Sequence, residues 1–119
     1  MTTLAAMHKK LVSMRSSAGS RDLDCLDLLL REIELWRESD EAPGILDSTL
    51  ERTLGQTRFS SQPLQREVNE CLLQFRVTVH DLPGMTMNER LVMFDLVDRW
   101  DRGTAEGRAA LYKKLLARP

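Results

Sequence analysis

The sequence predicts an all-α fold, a single domain of five or six helices, on three observations. Apolar residues recur at helical rather than strand spacing along almost the whole chain. The four prolines and six glycines fall mostly between those periodic stretches. The composition of 42% hydrophobic and 29% charged residues over 119 positions is that of a globule able to bury one core.

The elements follow in order. Leu4, Met7, Leu11 and Met14 share one face of a first helix over residues 3–16. Residues 1–19 carry Lys9, Lys10 and Arg15 and no acid, so this helix and its linker form a basic amphipathic segment, open to packing on the domain, to a peripheral place or to docking on a partner groove. Ser16-Ser17-Ala18-Gly19-Ser20 interrupts it, and Ser20 is the expected cap of a second helix over 21–39, with Asp22 and Asp24 near its positive end. Leu23, Cys25, Leu26, Leu28, Leu29, Leu30, Ile33, Leu35 and Trp36 spread over more than half its circumference. A stripe of about 100° is enough for a helix lying on a core, so this helix must be covered from two sides.

A third helix is expected over 45–55, with Gly55 as its stop. Ser60-Ser61-Gln62-Pro63 reads as the start of a fourth, whose stripe runs through Leu64, Val68, Cys71, Leu72, Phe75, Val79 and Leu82. Pro83-Gly84 then turns the chain, and Thr86-Met87-Asn88-Glu89 has the capping-box pattern that opens a fifth helix over 87–102. After a break at Gly103-Thr104, a last helix over 105–117 presents Leu111, Tyr112, Leu115 and Leu116. Helices two, four and five are the expected core. Its members are Leu26, Leu29, Leu30, Ile33, Trp36, Leu64 and Val68, together with Leu72, Phe75, Val79, Leu91, Phe94, Val97 and Trp100.

Chemistry-bearing patterns are sparse. His80-Asp81 resembles a catalytic pair, but a histidine in the last turn of a helix also interacts well with the exposed carbonyls there. Cys25, Cys71, His8 and His80 have no metal-ligand spacing, and both cysteines lie on apolar faces as small hydrophobes do. The carboxylates of helices two and five lack the Glu-x-x-His pairs of a di-metal bundle. No nucleophile elbow or phosphate loop is present. The residues therefore predict a protein that is not an enzyme and uses no cofactor or metal.

Charge is uneven along the chain. Residues 20–55 hold ten acids and four bases, a net −6, while residues 1–19 and 104–119 each carry +3. Packing of basic ends beside an acidic body within the fold accounts for this. The alternative is a basic patch of Arg108, Lys113, Lys114 and Arg118 on the second helix of a DNA-binding helix-turn-helix over 87–118. Against it stand a sequence pI near 6.1 and an N-terminal turn, Thr104-Ala105-Glu106-Gly107, with little to offer a base.

No apolar run reaches the roughly 20 residues of a membrane span, and no secretory signal pattern is present. With two isolated cysteines, the expected location is cytoplasmic. The expected function is a non-enzymatic interaction protein, an adaptor, chaperone-like or regulatory subunit binding another protein through apolar helix faces. Because helices two and five are apolar around more than half their circumference, the chain is also expected to pair with itself as a homodimer. The expected interface residues are Leu28, Leu35, Trp36, Met93 and Trp100.

Overall fold

A computed structural model describes residues 1–117, and every regular element among them is helical. There are seven α-helices among the described residues: α1 (Leu4–Met14), α2 (Ser20–Glu38), α3 (Pro43–Gln56), α4 (Gln62–His80), α5 (Met87–Met93), α6 (Val97–Asp101) and α7 (Ala105–Lys114). Single 3-10 turns follow α1 at Arg15–Ser17 and α4 at Leu82–Gly84. The count exceeds the expected five or six because the predicted fifth helix is two.

Of the places open to the first helix, the fold takes packing on the domain. Leu4, Met7 and Leu11 of α1 are fully buried, and the helix packs on both α2 and α4. The reason lies in α2, whose broad apolar surface is covered by α1 on one side and α3 on the other. Cys25, Leu26, Leu29, Ile33 and Trp36 are buried in this way, while Leu28 and Leu35 stay outside. Ser20 does not cap α2. Gly19 takes that position without a side-chain bond, and Ser20 is the first helical residue.

The start of α3 lies two residues before the expected one. Pro43 occupies its first turn, where a missing N–H leaves nothing unpaired, and Gly55 stays inside the helix rather than ending it. The start of α4 is as the sequence indicates, with the Ser61 hydroxyl accepting from the Leu64 amide at 3.3 Å. At its centre the core is aromatic. The Phe94 ring lies 5.9 Å from Phe75 and 6.1 Å from Trp36, in tilted to edge-on arrangements. Of the expected core residues Leu30, Val79 and Trp100 are partly buried and Val97 is exposed. Phe59, in the loop before α4, is buried without having been anticipated.

A Schellman motif ends α5. The Leu96 amide donates to the Leu91 carbonyl at 2.9 Å and the Asp95 amide to Val92 at 3.3 Å, with Asp95 in the left-handed region at φ 58°. One uninterrupted helix would hold Phe94 and Leu96 about 200° apart and could not turn both to one core. The break buries both. It leaves Val92 and Val97 as the exposed remainder of the apolar arc that the sequence suggests for this segment. Aspartate tolerates the left-handed conformation better than most residues, and the Asp95 carboxylate is held by the Arg37 guanidinium at 2.6 Å.

Between α6 and α7 a Cβ at Gly103 would lie 3.1 Å from the Arg99 carbonyl oxygen, so a side chain there would have to push the backbone back by a few tenths of an ångström. A second Schellman motif closes α7, through Ala117 to Tyr112 at 2.8 Å, with Leu116 at φ 57°. Leucine is poorly suited to that conformation and its side chain is exposed. Leu116→Gly is expected to stabilise the protein by about 0.5–1 kcal/mol, net of the larger unfolded-state entropy of glycine. A urea midpoint unchanged or lowered in this variant would show instead that the Leu116 side chain contributes packing.

Candidate functional site

Local structure around the end of α4 produces a large concavity among the described residues. The helix stops at His80, and the Asp81 amide closes it onto the Val77 carbonyl at 3.0 Å. Buried Leu82 then anchors the 3-10 turn against the core. The capping box forms as expected: the Thr86 hydroxyl accepts from the Glu89 amide, and the Glu89 carboxylate accepts from the Thr86 amide, each at 3.2 Å. Behind α5, the buried Arg90 guanidinium donates to the Met85 carbonyl at 3.0 Å and to the Leu115 carbonyl at 2.7 Å. The wall formed by α5 is thereby fixed to the end of α7.

Between the end of α4, the turn and α5 lies an open groove of about 800 Å³. Met1, Pro83, Met85, Val92 and Met93 supply most of its apolar lining, and Val92 is exposed. His80, Asp81, Asn88 and Glu89 also line it, all on the solvent-exposed side of their elements. The pair that resembles a catalytic dyad is thus a helix end opening onto an apolar groove. Among the described residues, no group of three or more His, Cys, Asp or Glu side chains is placed to hold a metal ion.

The structure separates the residues expected at an interface. Leu28 and Leu35, seven positions apart on one face of α2, point outward with 43% and 61% exposure. Trp36 is placed in the core at 3% exposure, its indole N–H donating to the Ala42 carbonyl at 3.1 Å, and it reaches the surface only in a concavity that it lines together with Leu35. Met93 lines the groove. Trp100 is partly buried, edge-on to Tyr112 at 5.4 Å and under the Arg108 guanidinium at 5.1 Å. These five residues do not share one surface.

The basic patch is dispersed in a similar way. Arg108 is held on Trp100, donating to its carbonyl at 3.1 Å, and Lys113 is exposed. Arg118 lies outside the described residues. Lys114 is buried at 1% exposure. Its ammonium donates to the carbonyls of Trp36 and Ser39 and lies 3.9 Å from the centre of the Trp36 ring. Arg99 donates to the Arg37 and Ser39 carbonyls at 2.9 and 2.8 Å and pairs with Asp40 at 2.7 Å. Two cations from the last third of the chain therefore cap the negative end of α2. Burial, reinforced by neighbouring Arg99, lowers the Lys114 pKa to about 8, against the opposing pull of Asp40, Glu41 and Glu38.

Burial also raises the Glu32 pKa, although the Thr53 hydroxyl donates to this carboxylate and Arg52 lies nearby. This contact joins α2 to α3. The Cys71 thiol is pushed up by burial too, and both cysteines are free and buried.

Val92 and Met85 are the groove residues that sequence reasoning missed. A signal was present, since Met85, Met87 and Met93 place half of the six methionines within nine positions. Helical periodicity alone assigns those side chains to a core. Among the described residues, no helix is long and apolar enough to cross a membrane. Comparison with known proteins found no matching family model, no similar curated protein and no similar solved structure.

Proposed function

We propose that this seven-helix domain is a non-enzymatic interaction protein, an adaptor, chaperone-like or regulatory subunit, and that its partner-binding surface is the α4–α5 groove. The observation that carries this reading is the groove itself: an apolar concavity of about 800 Å³ with exposed Val92 in its wall. Concave, mostly apolar surfaces bordered by a few polar groups are the usual form of a binding site. Methionine suits a binding surface because its unbranched, polarizable side chain repacks around different partners. The free, buried cysteines fit a reducing compartment, and a cytoplasmic location is part of the proposal.

Self-association is retained as a second reading on a narrower basis than the sequence suggests. Exposed Leu28 and Leu35 form a stripe along α2, and two copies related by a two-fold axis would cover it. One experiment separates the two surfaces. With a photo-crosslinking residue at position 92 or position 35, irradiation in native cells is expected to yield a heterologous adduct from 92 and a chain-to-chain adduct from 35. If position 92 captures nothing above an exposed control at Ser48, the groove is not the partner surface. If position 35 gives no dimer, the pairing of α2 faces is wrong.

A further inference from the structure

We infer that the groove between the end of α4 and α5 receives a cationic amphipathic helix, apolar on the face it buries and lysine- or arginine-bearing on its flank. This rests on the reading of the groove as the binding surface and adds the chemistry of its occupant.

The lining decides between kinds of ligand. A small molecule is oriented by a few convergent, desolvated polar groups. Here the four polar side chains of the groove are all exposed to solvent, and the most sheltered lining residues are the half-buried Met85 and Met93. A methionine-lined concavity with a polar border is suited to the apolar face of a helix, which presents side chains at i, i+3, i+4 and i+7. Along α4, exposed Leu73 and Val77 stand at i−8 and i−4 from Asp81 and extend the apolar surface beyond the groove.

Charge decides the sign. Asp81 and Glu89 border the groove, and the carbonyl end of α4, with its partial negative charge, opens beside them. Among the described lining residues, His80 and the α-amino group of Met1 are able to carry positive charge, set against two carboxylates and the carbonyl end of α4. An acidic peptide or an anionic lipid surface would meet repulsion. So would a second copy docked groove to groove, since a two-fold axis sets the same carboxylates against each other. Of the cations on α7, Lys114 is engaged on α2 and Arg108 on Trp100, while Lys113 is exposed.

The test uses the full-length chain and three fluorescent peptides of about sixteen residues, long enough to form a helix on binding. One has leucine on one helical face and lysine on the other, one replaces lysine by glutamate, and one scrambles the first so that no face is apolar. Fluorescence anisotropy is expected to show the leucine–lysine peptide binding at least about tenfold tighter than either control. Val92→Lys and Asp81→Lys are each expected to weaken it about fivefold or more, with helicity by circular dichroism unchanged. Both positions are exposed, so neither substitution threatens the core.

Equal or tighter binding of the glutamate peptide, still sensitive to Val92→Lys, would overturn the cationic chemistry and leave the groove as binding surface. Binding that ignores Val92→Lys, or no binding of any peptide, would overturn both. If sedimentation equilibrium shows a dimer that Val92→Lys dissociates, a second copy occupies the groove and the cationic helix is wrong.

Discussion

Lys114→Met is expected to lower the stability of the protein by about 2–3 kcal/mol. Methionine keeps most of the length and apolar volume of the lysine stem but donates no hydrogen bond. The Trp36 and Ser39 carbonyls, at the end of α2, then lose the partner they have in the fold. Removing a desolvated charge acts in the opposite direction. That relief is the smaller effect here, because the ammonium is already satisfied by the carbonyls and the Trp36 ring.

The pH dependence carries a definite sign. The Lys114 pKa falls from 10.5 to about 8 on folding, so between those values the unfolded chain binds more protons than the folded one. Stability contributed by this group is therefore present above pH 10.5 and lost as pH falls through about 8. Neutral lysine still donates to a carbonyl, so the wild-type advantage over Lys114→Met should widen as pH rises across that window. Urea unfolding of both proteins at several pH values measures it. A constant difference would mean that Lys114 titrates alike in both states, and equal stabilities would mean that the α2 cap contributes nothing.

Asp22→Ala is expected to destabilise by about 2 kcal/mol. Asp22 is buried in the first turn of α2, and its two carboxylate oxygens accept from the Ser60 amide at 2.6 Å and the Ser61 amide at 3.1 Å. It thereby fixes the entry of α4 on the start of α2, some forty positions earlier in sequence, with negative charge near the positive end of α4. Asp22→Asn keeps one acceptor oxygen and should cost about half as much. Equal, negligible losses in both variants by thermal or urea unfolding would show that water replaces the carboxylate without penalty.

These two residues mark where sequence reasoning stops. Lys114 reads as a surface cation favouring its own helix end, and Asp22 as a first-turn acid favouring its own helix start. Both local readings are physically sound, and each has the residue contacting a helix remote in sequence instead. Trp36 shows the converse: it fits a core list and an interface list equally well until packing chooses one.

What the sequence by itself determined is everything governed by neighbours a few positions apart. The 3.6-residue apolar periodicity sets the helical class and places α1, α2 and α4 to within a few residues. Thr86 and Glu89 cap their helix as their spacing indicates, and α4 starts within Ser60-Ser61-Gln62-Pro63. Only the tertiary structure decided which side of a broadly apolar helix is covered. It broke the predicted fifth helix at Asp95, because Phe94 and Leu96 both gain burial once the chain turns. It brought α1 onto α2 and left Leu28 and Leu35 outside. It also opened the groove beside the end of α4, since a concavity is defined by the spacing between elements and has no local pattern. The physical reason is common to all of these. Hydrophobic burial is non-directional, so a sequence specifies that apolar area must be removed from water, and the packing of distant elements selects which area is.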